Sequence, residues 1–363
     1  MNETFALELN LSAISPVIVT NNLPIGNSYM SLQYIPASML KGAILTELRK
    51  KFCNVPNINN CDECNNDTCF FKAKVLDKLI VKPGIPIVEK CKSHKIFNIT
   101  PRTIERCKNC GELVDSTLLY TKEGKMKDRC PKCEYKPFAK QFGPYCSDCN
   151  KPIEVNKVFK TNIAIDRELM STMEGMLFYY EAIQQHTTFK ALLFGEGNEL
   201  KTEVKNLERI HVGRGKSRGY GVIVIKSEVQ NWDNVISDII SKIKKSIDEA
   251  KRVILIGLTP FASLKWSSDG LKSIPRIDEL NLNGKKVNLE KAIGSTEFVS
   301  GWALHTNTQK PRFKAGAPGS VFIYKADNMD QNSIEDLAVK ELKGVGDEIL
   351  RQNGFNIFTI WGV

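Results

Sequence analysis

All eleven cysteines of this chain fall between Cys53 and Cys149, and no other feature limits its folding as strongly. A segment of that length, broken by Cys-x2-Cys pairs and poor in apolar periodicity, buries too little core to stand on packing alone. In a reducing cytoplasm, the compartment expected for this chain, paired cysteines signal metal rather than disulfides. With His94 they sort by spacing into three quartets. Cys91, His94, Cys107 and Cys110 form one, Cys130, Cys133, Cys146 and Cys149 the second, and each separates its two knuckles by twelve residues. Cys53, Cys61, Cys64 and Cys69 form a less regular third, for which free thiols or shared ligands are the alternative. A Cys-x2-Cys turn presents two thiolates to one ion, and a second turn completes a tetrahedron. Because Cys or His fills every position, the expected sites are closed and structural, holding about three Zn ions that supply folding energy.

The second informative stretch is RIHVGRGKSRGYG, from Arg209 to Gly221. Gly213, Gly215, Gly219 and Gly221 permit positive φ and close backbone approach. Arg214, Lys216 and Arg218 add charge, Ser217 a hydroxyl and Tyr220 an aromatic face, with no acidic residue among them. Exposed N–H groups in such a loop line an anion, and a polynucleotide backbone is the favoured one. An ordinary hairpin turn is the bland alternative. Leu200, Val204, Leu207 and Ile210 stand at helical spacing before the loop, and Val222–Ile225 reads as a buried strand after it. A loop from helix to strand fits neither a Walker phosphate loop nor a dinucleotide fingerprint, which run from strand to helix.

The formal net charge is +10, but eleven thiolates and three divalent ions together subtract five from it. The local cluster at Arg214–Arg218 is therefore the better sign of a polyanionic partner. No run approaches the length of a membrane span, and MNETFALELNLSA lacks the basic start and apolar core of a signal peptide. No membrane partner is expected.

With residues 53–150 set aside as a zinc-binding insertion, the order is strand (4–11), helix opening at Pro36, strands (157–165 and 187–194), helix (198–209) and strand (221–226). That is the β-α-β-β-α-β ferredoxin-like pattern, built from residues 1–52 and 151–230. A linking helix begins the remainder, 231–363. Extended stretches near 252–258, 296–303 and 319–325, a helix near 333–343 and a strand near 355–361 make a looser second copy. Its loop, GVGDEILRQNGF, keeps Gly344, Gly346 and Gly354 but carries Asp347 and Glu348 in place of cations. The expected class is α+β, two ferredoxin-like, RRM-like domains with a zinc-ribbon insertion in the first.

Three motifs extend this reading. YIPASMLKGAI (Tyr34–Ile44) is similar to an "IPGS-lKG" first-helix motif, with Ala37 where glycine is usual. TNIAIDRELMSTMEGMLFYYEAI (Thr161–Ile183) resembles an "idR…G.Ly..E" segment, and KAGAPGSVFIYKA (Lys314–Ala326) an "aGSvf" strand. Together with the glycine-rich loop they resemble the RAMP superfamily of CRISPR effector subunits, and within it the type III-D subunit that caps the crRNA 5′ handle. The resemblance implies a crRNA-binding structural subunit without catalysis. Its partners would be a large polymerase-like subunit, backbone RAMP subunits and, through the guide, target RNA. It also implies that Gly213–Gly221 contacts RNA backbone, that Lys41 lies near RNA, and that Arg167 meets RNA or a neighbour.

Target-cutting relatives place an acidic residue between first strand and first helix. Here Ser12–Ser38 contains no Asp, Glu, Lys, Arg or His, so it offers neither a base nor a magnesium ligand. Of the four histidines only His211 lies beside the loop, where it is either a phosphate neighbour or the acid-base group of a metal-independent crRNA-processing ribonuclease. A zinc-ribbon nucleic-acid factor is the third reading.

Overall fold

The computed structural model describes residues 4–20, 28–53, 69–87, 97–117, 120, 129–136, 138–146, 151–166, 168, 170–268, 270–303, 308–326 and 329–361. β1 (Thr4–Ala13) alternates as its sequence dictates: Phe5, Leu7, Leu9 and Leu11 are buried, while Glu8, Asn10 and Ser12 face the other way. Pro36 precedes α1 (Ala37–Phe52), where its fixed φ of −57° suits a helix start. Leu40, Ile44 and Leu48 of α1 pack on the apolar side of β1. β2 (Leu79–Val81), β3 (Thr188–Glu196), α2 (Asn198–Lys205), β4 (Arg209–His211) and β5 (Val222–Gln230) complete the first half. The antiparallel sheet runs β4-β5-β1-β3-β2, the ferredoxin order.

Two expectations change here. The strand near 157–165 does not join this sheet; Lys157–Asp166 pairs with Ser171–Ile183 in a separate long hairpin. The second-strand position belongs to β2, inside the segment assigned to the insertion. Phe71, Val75, Leu79 and Val81 are buried in the first core. Their apolar side chains are satisfied by α1 and the sheet rather than by metal, so the 53–150 insertion is interrupted by a return to the first domain.

α3 (Trp232–Ala250) is capped by the Asn231 side chain, which accepts from Asn234 N at 3.1 Å. Beyond it come β6 (Arg252–Gly257), β7 (Glu279–Leu282), β8 (Lys285–Ile293), β9 (Val321–Lys325), α4 (Gln331–Lys343), the short α5 (Glu348–Gln352) and β10 (Phe358–Ile360). The second sheet runs β7-β8-β9-β6-β10, again the ferredoxin order. No helix follows β6 directly; a hairpin of Ser263–Ser267 and Gly270–Ile274 stands there instead. α3 takes the vacant place beside α4. Its Ile239 and Ile243 share a core with Val253, Leu255, Phe322 and Tyr324 on one side and with Ala6 and Phe194 of the first sheet on the other. Thr296–Ala303 pairs with Thr308–Gly316 in a further hairpin rather than in the sheet.

The module expected to hold metal spans the two halves. Ile104–Cys107 lies between Leu113–Asp115 and Phe138–Lys140, and Pro144–Cys146 between Phe97–Ile99 and Lys151–Pro152. Its Ile104 and Tyr145 pack on Ile254, Ile256, Val321 and Ile323, the face of the second sheet turned away from α3 and α4. Arg102 secures the contact: its N donates to Gly319 O at 2.7 Å and its Nε to Pro318 O at 3.0 Å. A Cβ at Gly319 would stand 2.3 Å from Thr100 O, so only glycine admits the approach. Among the described residues, no helix is long and apolar enough to cross a membrane.

Candidate nucleic-acid interface and metal centre

The glycine-rich loop joins β4 to β5 and is clipped to the uncharged segment behind β1. Arg214 N donates to Ile18 O at 3.0 Å, Gly221 N to Pro16 O at 2.9 Å, and Val222 N to Ser15 Oγ at 3.0 Å. Gly213 (φ +84°) and Gly221 (φ +78°) make this possible: a Cβ would stand 2.1 Å from Ile18 O in one case and 1.9 Å from Val212 O in the other. Gly221→Ala is therefore expected to destabilise the fold by more than the ~1–2 kcal/mol of a left-handed residue, read as a lower thermal midpoint.

Between Gly215 and Gly219 the chain makes one 3-10 turn, Lys216–Arg218, whose Arg214, Lys216, Ser217 and Arg218 surroundings are exposed. Partial desolvation of its head group lowers the Lys216 ammonium below its usual range, although the residue as a whole is exposed; Glu47 opposes this and Lys50 adds to it. Two tyrosines brought from elsewhere seat the arginines. Tyr29 and Tyr180 stack with ring centroids 4.9 Å apart. Arg214 lies 5.5 Å over Tyr29, Arg218 lies 5.0 Å over Tyr180, and Arg218 Nη2 donates to Tyr180 Oη at 3.3 Å. Tyr220 is half-buried, and its Cδ2 lies 2.9 Å from where a Gly215 Cβ would be, so its ring lies against the loop. The aromatic pair that lies beside the loop's arginines is thus Tyr29 and Tyr180 rather than Tyr220. Nothing local reveals it, because those residues meet only through the parallel bridge of Ser28–Tyr29 with Tyr179–Tyr180.

Other expected contacts fall elsewhere. Lys41 is 4% exposed, and its Nζ donates to Gln352 O at 2.6 Å at the end of α5. A buried ammonium needs such a partner, and this one takes Lys41 away from the surface where RNA was expected. Arg167 lies outside the described residues. His211 is half-buried on β4, with Nδ1 3.6 Å from Glu47 Oε1. The second glycine-rich loop is spent on contacts within the protein: a Cβ at Gly354 would stand 2.8 Å from Ser38 N of the first domain, and inside the second domain Asp347 Oδ2 accepts from Leu264 N at 2.9 Å.

Among the described residues, the candidate metal centre is a different quartet from either regular one read by spacing. Cys107, Cys110, Cys130 and Cys133 place their four Sγ atoms within 4.8 Å of one another. Cys107 and Cys133 are 3.5 Å apart, Cys110 and Cys130 3.6 Å. A tetrahedron with Zn–S bonds of about 2.3 Å has edges of about 3.8 Å, so the thiolates fit zinc. The two knuckles repeat one another: Cys107 N donates to Glu112 O at 2.8 Å as Cys130 N does to Tyr135 O at 3.0 Å. Gly111 (φ 73°) and Glu134 (φ 57°) occupy the same left-handed step. A backbone N–H from Tyr135 draws the Cys133 thiol down to about 6, whereas at Cys110 a backbone N–H from Glu112 is outweighed by desolvation and the neighbouring sulfurs, which push that thiol up to about 12.

The pairing is corrected because Ile104–Cys107 and Phe138–Lys140 are antiparallel neighbours, with Cys107 opposite Phe138, which sets the two inner knuckles side by side. Cys146 is buried on its strand opposite Phe97. Cys53 and Cys69 are half-buried, while Cys61, Cys64, Cys91, His94 and Cys149 lie outside the described residues.

Two ferredoxin-like halves with an arginine-bearing glycine loop after the second helix define an RRM-like α+β protein. The chain belongs to the RAMP superfamily, whose sequence profile matches residues 10–224. No curated protein matches it. Among solved structures it is similar to a chain of "Cryo-EM structure of the Type III-B Cmr-beta bound to cognate target RNA and AMPPnP, state 1", at 14% identity and a TM-score of 0.44, covering 87% of this chain and 86% of that one. It is similar also to a chain of the "Type III-B Cmr-beta Cryo-EM structure of the Apo state", at 16% identity and a TM-score of 0.32, covering 61% of this chain and 97% of that one.

Proposed function

We propose that this chain is a non-catalytic, crRNA-binding structural subunit of a type III CRISPR-Cas effector complex, and that the Gly213–Gly221 loop holds the backbone of the crRNA 5′ handle. The observation that carries this reading is the loop itself: three exposed cations on a rigid, acid-free turn, two of them laid on the Tyr29–Tyr180 stack. Such a surface suits a strand whose phosphates need charge and whose bases need flat neighbours. Membership of the RAMP superfamily supports the same assignment. The motifs that resemble the type III-D subunit extend it to a place at the 5′ end of the guide, beside the large polymerase-like subunit and the backbone RAMP subunits. Target RNA is reached through the guide. The charge-free 12–38 segment supports a role without cleavage.

Native particles are expected to carry short RNAs with a common 5′ end, recovered uncut. The Arg214→Ala, Lys216→Ala, Arg218→Ala triple variant is expected to lower the log–log salt slope of RNA binding by about two units, from about 0.7 per phosphate contact on single strands. Particles empty of RNA, or an unchanged slope, count against the reading. The same reading places zinc at the Cys107, Cys110, Cys130, Cys133 quartet, with the remaining cysteines and His94 accounting for up to about three ions per chain.

A further inference from the structure

A cavity of about 240 Å³ lies where the 31–34 segment, the metal module and the second domain meet. It is smaller than the roughly 300 Å³ at which pockets for drug-sized ligands begin, so a single heterocycle is the right scale. Phe142 is among its lining residues and is 55% exposed, so its ring is open to a ligand. The Arg102 guanidinium lies 4.3 Å over that ring. Arg102 is held by its bonds to Pro318 O and Gly319 O, so the pair forms a fixed flat surface at the mouth. Tyr34 and Leu32 give apolar wall; Gln33 brings an amide donor and acceptor and Glu297 a carboxylate to the same space, while the Lys157 ammonium at the rim is paired with Glu181. A mixed lining of this kind suits a group that is flat on its faces and polar around its rim.

The cavity is close to the glycine-rich loop. Ile18 bridges to Arg214 on one side of the 17–19 segment, and Val19 O accepts from Leu32 N at 2.8 Å on the other. Loop and cavity wall are therefore about two strand spacings apart, about 10 Å, a distance that a short single strand spans. Lys157 Nζ donates to Ser31 O at 3.1 Å and keeps the rim in place.

We infer that this cavity receives one unpaired nucleobase of an RNA held at the Gly213–Gly221 loop, stacked at Phe142 and Arg102; the inference rests on the RNA-binding reading above. Single-stranded RNA is read in this way elsewhere, by splaying a base onto an aromatic or guanidinium plane and meeting its edge with polar groups. Because Phe142 and Arg102 come from the metal module, the module would choose among bases while the loop grips the backbone.

The test uses the full chain and a single-stranded RNA of about 12 nucleotides, within the usual ~4–16 nucleotide span, containing 5-iodouridine at random positions. Irradiation is expected to give a cross-link at Phe142, located by mass spectrometry, beside any at Tyr29 or Tyr180. Phe142→Ala, an exposed change, is expected to keep the thermal midpoint, lose that cross-link and weaken binding about fivefold to hundredfold, the range for one stacked base. Binding unchanged in Phe142→Ala, with cross-links confined to the loop and the two tyrosines, overturns the cavity and leaves the RNA-binding reading standing. Wild-type protein that binds no RNA overturns both.

Discussion

Stripping metal from this protein with a strong chelator is expected to unfold the module around Cys107–Cys133 and to loosen the second domain with it. The module's buried aliphatic and aromatic side chains are few and small in area, with Ile99, Ile104, Val114 and Tyr145 chief among them. The apparent energy of a structural zinc site, ~10–16 kcal/mol, exceeds what the three short strands around it supply, so the metal decides whether the module folds. The loss reaches further because Ile104 and Tyr145 cover Ile254, Ile256, Val321 and Ile323. Hydrogen exchange is expected to accelerate in β6 and β9 after chelation, and elemental analysis of Cys130→Ser to show one zinc ion fewer than wild type. Unaltered exchange in those strands would show that the second sheet keeps its cover without metal.

The second large effect is expected at the ion pair that joins the two halves inside the protein. Lys82 Nζ lies 3.3 Å from Glu341 Oε1, both side chains nearly buried. Glu341 also accepts from Thr359 Oγ1 at 3.0 Å and from Ile360 N at 3.4 Å. Burial lowers the Lys82 ammonium below its usual range, with Glu341 opposing and Lys242 adding. The direction says that desolvation outweighs the attraction, so the pair is costly to break rather than strongly stabilising. Glu341→Ala leaves the ammonium buried alone and should cost about 3–5 kcal/mol in denaturant unfolding. Lys82→Met combined with Glu341→Gln removes both charges and keeps an acceptor for Thr359, so it should recover much of that loss. A double variant as unstable as Glu341→Ala would mean that packing, not the stranded charge, sets the cost.

What the sequence disclosed and what it hid follow one rule. Features determined by neighbours along the chain were legible: the alternation of Phe5, Leu7, Leu9 and Leu11, the helix start after Pro36, and the positive φ of Gly213, Gly215, Gly219 and Gly221. The helix expected to run up to that loop was not: it ends at Lys205, and Arg209–His211 is a strand paired with Val222–Val224, so the loop turns a hairpin. Features determined by which distant segments meet were not. Identical twelve-residue gaps made two quartets look natural, yet strand pairing selected the inner knuckles, which are separated by nineteen residues. The second strand was sought at 157–165, a long extended run, whereas the sheet took the three-residue β2. Lys41 carries a motif that suggested RNA; only the approach of α5 reveals that its charge is used internally. Tyr29 and Tyr180 give no signal until the hairpin folds back.

The ribbon that covers the second sheet also sets a schedule for synthesis. Tyr145 leaves the ribosome well before Ile254 and Val321 exist, and at about 5–20 residues per second that delay is roughly ten seconds or longer for the last of them. For that interval the nascent chain displays an apolar flank with no mate, so chaperone occupancy should peak between the first domain's completion and the arrival of β9.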